Sequence, residues 1–315
     1  MRELRVLFMG TPEFAVESLK AILEADFKVV GVITAPDRPA GRGRKLTESA
    51  VKKFAVSKNL KILQPTNLKS EDFQEEIKEL NPNVSVVVAF RMLPEWLWKF
   101  PEFGTFNLHA SLLPDYRGAA PINWAIMNGE NRTGITTFFI DENIDTGATI
   151  LQQEVKIEKH ENVGHLHDKL MEKGSALVVK TLHQIQKDNI ERIPQKDNGH
   201  LKKAPKLDKE NTKIDWNLPL KDIYNHIRGL NPYPGAWCYL ENSSEEFQVK
   251  IFDVEVISQE HHLPTGTVTV QEKKIKVAAK NGFIIIKQIQ LPGKKRMDAK
   301  DLLNGYHFAP DSKLG

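Results

Sequence analysis

The chain has 315 residues, 40% of them hydrophobic and 27% charged, with a formal net charge of +3; this composition excludes a disordered or fibrous protein and fits one large or two medium globular domains. No apolar run approaches the roughly 20 residues of a membrane span, and Met1-Arg2-Glu3-Leu4-Arg5-Val6 leads into a strand pattern instead of a signal segment, so a soluble cytoplasmic protein is expected. Cys238 is the only cysteine, which excludes an intramolecular disulfide and a cysteine-based zinc site and fits a reducing compartment.

Residues 4–9 read as an apolar strand, Gly10 as a tight turn, and Thr11 and Pro12 as the cap and first residue of a helix striped by Phe14, Leu19, Ile22 and Leu23. Residues 27–33 restore an almost continuous apolar strand, completing a βαβ unit. The next segment, Asp37-Arg38-Pro39-Ala40-Gly41-Arg42-Gly43-Arg44-Lys45, sets four cations against one acid among Pro and Gly, and reads as a flexible cationic loop without regular structure. A helix near 71–80, strands at 84–89, 105–109 and 135–140, and a helix at 121–128 continue the alternation. The predicted class is α/β, a doubly wound, mostly parallel sheet with function at the strands' carboxyl ends. No Gly-x-Gly-x-x-Gly follows the first strand, so a nicotinamide cofactor is not expected.

An amphipathic helix is expected over 161–186, followed by a polar stretch with Pro194, Asn198, Gly199 and Pro205. The domains are accordingly read as 1–189 and 207–315, joined by a linker at 190–206. Beyond it, a helix near 219–229 and short alternating runs at 248–257, 266–270, 274–279 and 282–288 suggest a small, OB-like β-barrel. Charge is polarised there: 273–300 holds nine Lys or Arg against Asp298, while 241–272 holds seven acids and Lys250. Taken alone, such runs are solvated faces.

The chemistry is concentrated in Asn107-Leu108-His109-Ala110-Ser111-Leu112-Leu113-Pro114 and in Asp145-Thr146-Gly147. On a strand, period-two alternation puts Asn107 and His109 on one face, where both can address one reacting carbonyl. Acyl transfer at a carbonyl puts negative charge on oxygen, and preorganised donors from Asn107 and His109 would each contribute about 2 to 4 kcal/mol. Asp145 would orient His109 and help relay the proton lost by the nucleophile; which of the two takes that proton stays open. In isolation His109 reads as a core histidine and Asp145 as a turn residue. Ser111 lacks a Gly-x-Ser-x-Gly elbow, and His160, His165 and His167 lack the further ligands of a metal site.

These segments closely resemble the methionyl-tRNA formyltransferase family over nearly the whole chain. The resemblance runs through Phe8-Met9-Gly10-Thr11-Pro12, Pro36-Asp37-Arg38-Pro39-Ala40-Gly41-Arg42-Gly43, the Asn107 to Pro114 run, Arg117-Gly118-Ala119-Ala120-Pro121-Ile122, Asp145-Thr146-Gly147, Ala204-Pro205-Lys206-Leu207 and Asn231-Pro232-Tyr233-Pro234. It implies a formyltransferase-type Rossmann-like sheet with an OB-like tRNA-binding barrel, and transfer of the formyl group of 10-formyltetrahydrofolate to the α-amino group of methionyl initiator tRNA. By resemblance, Asn107, His109 and Asp145 take the catalytic positions, and Ser111, Leu112, Leu113 and Pro114 line the folate site. Arg38, Arg42, Arg44 and Lys45 become an arm for the tRNA acceptor end, with Lys206, Lys294, Lys295 and Arg296 as further tRNA contacts; a monomer without metal or membrane is expected. Phe90-Arg91-Met92 departs from the Tyr-Gly frequent in relatives, and Asn143 and Ala148 stand where Gly and Asp are frequent. Two rivals remain: formyl transfer to a small amine, which would not need the cationic segments, and an RNA-binding protein on a retired scaffold, which would not need the intact trio.

Overall fold

Val6, Leu7, Phe8 and Met9 are all fully enclosed, as a strand covered on both faces requires. In the computed structural model, which describes residues 1–40, 45–197 and 199–315, this strand is the heart of the first of two units, formed by residues 1–118, 133–155 and 167–203. In chain order the elements are β1 (Arg5–Gly10), α1 (Glu13–Glu24), β2 (Lys28–Ile33), β3 (Arg38–Ala40), β4 (Lys45–Thr47), α2 (Ala50–Ser57), β5 (Ile62–Leu63), α3 (Glu71–Leu80), β6 (Val84–Val88), α4 (Glu95–Lys99), β7 (Thr105–His109), β8 (Arg117–Gly118), α5 (Pro121–Met127), β9 (Arg132–Phe139), β10 (Thr149–Lys156), α6 (Val163–Gln186) and β11 (Lys203–Ala204).

The main sheet runs β10-β9-β7-β6-β1-β2-β5. It is parallel from β7 to β5 and turns antiparallel between β7 and β9, so the doubly wound, mostly parallel reading holds. Leu7, Met9, Ile33 and Val87 share a core with Phe73, Ile77 and Leu97 of α3 and α4. Alternate residues face the other way: a β-carbon at Gly10 would lie 2.6 Å from the Ala15 β-carbon of α1 and 2.9 Å from the Phe8 ring, so glycine lets the helix start against the sheet. At Gly174 a β-carbon would lie 2.8 Å from Leu108, which seats α6 close on β7.

Three expectations change. Thr11 does not cap α1; Pro12 is the N-cap residue, with extended backbone and no side-chain cap, leaving Thr11 one position too early to reach the helix's free amides. The cationic segment is not wholly irregular, because β3 and β4 pair antiparallel through Arg38↔Thr47, Pro39↔Leu46 and Ala40↔Lys45, and a two-stranded ladder tolerates a proline where a central strand does not. Its base is anchored at Asp37, which accepts hydrogen bonds from Lys52 and from Gln64 (2.8 Å); the Lys52 ammonium holds this carboxyl below its usual range. β10, unmarked in the sequence reading, is an edge strand whose Gln152, Gln153 and Glu154 mask the apolar alternation.

The second unit comprises residues 119–132, 156–166 and 204–315. It contains α5 and adds α7 (Leu220–Gly229), β12 (Ala236–Asn242), β13 (Glu245–Ser258), β14 (Val268–Gln271), β15 (Lys274–Ala279), β16 (Gly282–Gln290), β17 (Met297–Asp298), α8 (Ala299–Leu302) and β18 (Lys313–Leu314). The antiparallel order β14-β15-β16-β13-β12-β18 curls into a half-barrel. A Thr267↔Lys313 bridge links its ends, with Val268 N donating to Ser312 O (3.0 Å) and Leu314 N to Gly266 O (2.9 Å). Gly266 has φ +83°, and a β-carbon there would lie 2.1 Å from Leu314 O, so only glycine permits this approach. Ile223 and Ile227 of α7 fill the interior with Ile251, Ile275, Val277 and Ile284; each such side chain contributes about 1.5 to 3 kcal/mol by burial. Cys238 lies in this core, and burial pushes its thiol up to about 12, which makes it inert.

Residues 119–132 join this unit because α5 packs on α7: Asn123 Nδ2 donates to Gly229 O (2.8 Å), Trp124 Nε1 donates to Pro205 O (2.8 Å), and a β-carbon at Gly229 would lie 2.6 Å from Met127 Cγ. Arg228 Nη1 likewise donates to Glu161 O (2.7 Å). Among the described residues, no helix is long and apolar enough to cross a membrane.

His226 on α7 supplies a pH test. Its Nε2 is buried without a hydrogen-bond partner among the described residues, and burial holds its pKa below the ordinary 6.5, opposed in part by the Thr212 backbone. The folded chain thus holds this histidine neutral. Its contribution to stability is complete above pH 6.5 and is lost as the pH falls towards the lower folded value. His226→Gln is expected to flatten the fall of the melting temperature between about pH 6.5 and 5, read by scanning calorimetry; an unchanged slope contradicts the assignment.

Candidate active site

Asn107 and His109 both lie on β7, two residues apart, where Asn107 pairs with Phe138 and His109 with Thr136 of β9. Asn107 is half-buried, and its side-chain amide makes no hydrogen bond with any described residue. His109 is buried, with its ring edge-on to Phe138 at 6.5 Å between centroids. Its Nε2 lies 2.8 Å from Tyr116 O. A carbonyl oxygen only accepts, so Nε2 carries the proton and Nδ1 is the open nitrogen. Nδ1 is 3.8 Å from Asp145 Oδ2, beyond hydrogen-bond range, with the two side chains only 8% and 15% exposed. The ring is therefore oriented by the Tyr116 carbonyl and not, as expected, by Asp145.

Asp145 is held from the same place. Gly118 N donates to Asp145 Oδ2 (2.9 Å), so residues 116–118 offer a carbonyl to the histidine and an amide to the carboxylate. Positive φ at Tyr116 (+62°) and Gly118 (+126°) turns these groups. The Asp145 loop is tight: Asp141 Oδ1 accepts from Asn143 N (3.1 Å) and Thr146 Oγ1 (2.7 Å), and a β-carbon at Gly147 would lie 1.7 Å from Phe139 O.

Gln195 escaped the sequence reading because it lies in the polar stretch taken as a linker. Its Nε2 donates to Asp145 O (3.0 Å) and Gly147 O (2.8 Å), and its Oε1 accepts from Arg117 Nε (3.1 Å) and Nη2 (2.7 Å). No motif marks it; the only hint was the cation Arg117 within a recognisable segment.

The loop after β7 is braced from inside. Ser111 is fully enclosed, and its hydroxyl donates to Asp115 O (2.6 Å), so it shapes the loop instead of presenting a ligand contact. Thr136 Oγ1 donates to Ser111 O (2.7 Å) while accepting from Leu113 N (3.2 Å) and Gln152 Nε2 (3.0 Å). Leu113 is buried, whereas Leu112 and Pro114 keep accessible surface. A β-carbon at Gly134 would lie 2.4 Å from Leu112 Cδ2, so that glycine sets the position of Leu112.

Of the expected cations, Arg38 on β3 is exposed, as are Lys206, Lys294 and Lys295. Arg296 is committed, stacking on Phe252 at 4.4 Å and donating through Nε (2.8 Å) and Nη2 to Gln288 Oε1. Arg42 and Arg44 lie outside the described residues, and only the backbone of Lys45 is described. Arg91, itself exposed, reaches across to the loop between β5 and α3, donating to Pro65 O (2.5 Å) and Thr66 O (3.2 Å).

Residues 4–182 match the family model described as formyl transferase, and residues 206–307 match the formyl transferase C-terminal domain. The chain is 55% identical over 314 residues to a methionyl-tRNA formyltransferase of Flavobacterium johnsoniae, covering 100% of both. It is 51% identical over 317 residues to that of Bacteroides thetaiotaomicron, covering 99% of this chain and 98% of the relative. In fold alone it is similar to an N-formyltransferase from Helicobacter canadensis in complex with folinic acid and dTDP-3-aminofucose (TM-score 0.64, 22% identity, 90% of this chain and 98% of that one).

The contact of Gly147 with Phe139 O makes the loop intolerant of any side chain. Gly147→Ala is expected to expel the 141–147 segment, so that the Gly118 amide, deprived of its carboxylate acceptor, exchanges with solvent at least about tenfold faster. Unchanged protection of Gly118 contradicts the geometry.

Proposed function

The chain belongs to the methionyl-tRNA formyltransferase family, and on that premise we propose that it moves the formyl group of 10-formyltetrahydrofolate to the α-amino group of methionyl initiator tRNA. The observation that carries the reading is the polarity of the site: an unpartnered Asn107 amide, one open imidazole nitrogen, and a carboxylate 3.8 Å from that nitrogen. These are a donor for a developing oxyanion, a proton acceptor, and a negative charge to stabilise the acceptor once protonated. They fit a folate-borne formamide and need no covalent intermediate.

In this reading the neutral amine attacks the formyl carbon, and the carbonyl π pair moves to oxygen, where the Asn107 amide receives the charge. A free α-amino group titrates near 7.7 to 8.0 in general, so a usable fraction is already neutral. The ammonium proton of the adduct passes to His109 Nδ1, while Tyr116 O continues to hold Nε2–H. The imidazolium faces Asp145; at 3.8 Å the attraction is about 4 kcal/mol for an effective dielectric of about 20. Collapse of the adduct breaks the bond to the folate nitrogen, which takes the proton back from Nδ1. His109 is thus assigned as the proton carrier and Asp145 as its counter-charge. Leu112 and Pro114 are assigned to the folate surface, with Ser111 and Leu113 bracing it from behind.

Binding of the nucleic acid is assigned to the cationic segments. Arg38, Arg42, Arg44 and Lys45 form the arm towards the acceptor end, and Lys206, Lys294 and Lys295 contact phosphates. Arg296, already committed to Gln288 and Phe252, serves to support its two lysine neighbours. A cytoplasmic location fits a partner of this kind.

Purified chain with 10-formyltetrahydrofolate is expected to formylate charged initiator tRNA and to spare charged elongator tRNA. His109→Ala should lose about 100-fold or more in kcat. No product on charged tRNA, with activity on a free amino sugar or glycinamide ribonucleotide, contradicts the proposal. Substituting Lys294→Ala and Lys295→Ala together should raise KM for tRNA and lower the salt dependence of log KM by about one to two contacts, with KM for the folate unchanged. An unaltered salt slope removes these lysines from the interface.

A further inference from the structure

We propose that Gln195 is a positioning residue for formyl transfer, acting from a strap, residues 192–197 and 199–202, that holds the backbone clamp of the active site; this rests on the reading just given. The described residues of the strap touch both loops of the site. Arg192 stacks on Phe139 at 4.2 Å, beside the start of the Asp145 loop. Ile193 bridges Thr149 in both directions, with Thr149 N donating to Ile193 O (2.8 Å) and Ile193 N to Thr149 O (3.0 Å). Lys202 O accepts from Tyr116 N (2.6 Å), and Lys202 N donates to Asp115 Oδ1 (3.0 Å).

The Gln195 side chain joins the two loops to each other. Its amide uses both ends: two donors fix the Asp145 and Gly147 carbonyls, and one acceptor receives the Arg117 guanidinium. Arg117 sits between the residue whose carbonyl orients His109 and the residue whose amide holds Asp145. An amide is the side-chain group that meets two carbonyls and a guanidinium at once, because it both donates and accepts. A carboxylate keeps the Arg117 partner and turns lone pairs on the two carbonyls. An alanine removes every contact. The separation between His109 Nδ1 and Asp145 thus depends on a residue that touches neither side chain, and displacement on the ångström scale costs rate steeply.

The test uses the full chain with Gln195→Glu and Gln195→Ala beside wild type. Both variants should lower kcat for formyl transfer by about 100-fold while KM for formyl-folate and for tRNA stays within about threefold. A merely structural role would show as a lower melting temperature or raised KM, with kcat preserved in Gln195→Glu, which retains the Arg117 pair; that result overturns the proposal. If Gln195→Ala fails to fold, Gln195→Glu decides alone. Hydrogen exchange at the Gly118 amide is followed without substrate and should quicken at least about tenfold in Gln195→Glu. Unchanged exchange overturns the inference even if the chain proves to formylate another amine, whereas quickened exchange with no wild-type activity on charged tRNA leaves the strap standing and removes the function assigned above.

Discussion

The candidate site hangs on three residues of backbone, 116–118, which present a carbonyl and an amide to it. Tyr116 O takes the His109 Nε2 proton, and Gly118 N reaches Asp145. Backbone groups cannot change protonation or rotamer, so they fix the histidine tautomer more firmly than a carboxylate partner would. The arrangement has a cost: a non-glycine residue in the left-handed region, as Tyr116 is at φ +62°, is disfavoured by about 1 to 2 kcal/mol. Two hydrogen bonds offset it, each worth about 1 kcal/mol for a neutral pair and about 1.5 to 3 when an ionised group takes part.

The fold serves this clamp by stiffness. β7 is an interior strand flanked by β6 and β9, so Asn107 and His109 cannot drift apart. The loop after β7 is filled from behind by Ser111, Leu113, Thr136 and Gln152, whose polar atoms meet one another. Among the described residues of this site, the Asn107 amide makes no hydrogen bond, which leaves it available to a group outside the chain. The second unit has the opposite character. Its curled sheet encloses an apolar core and carries exposed lysines in the turn after β16.

Much of this was legible in the residues. The apolar runs at 6–9 and 84–88 identified a buried parallel sheet, and the spacing of Asn107 and His109 placed them on one strand face. The tautomer of His109 was not legible, because it depends on the carbonyl of residue 116, and backbone geometry leaves no trace in residue type. Gln195 was hidden for a similar reason: a lone glutamine in a polar stretch is indistinguishable from solvated linker until its partners are known. The curled sheet of the second unit was anticipated from its short alternating runs, but the contact that links its ends was not, since Gly266 meets Leu314 across 48 residues of chain. The assembly of the second unit from three stretches turns on contacts between α5 and α7, which no local pattern announces.

The decisive quantity is the rate of the chemical step with and without charge at residue 145. Single-turnover formylation should be followed across pH, with wild type and Asp145→Asn saturated with both substrates. A proton carried by His109 and balanced by Asp145 predicts a fall of about 100-fold or more in the variant, since a neutral amide can accept the Gly118 bond but offers no charge to the imidazolium. An Asp145→Asn rate equal to that of wild type would contradict the mechanism and leave the carboxylate with a structural role alone.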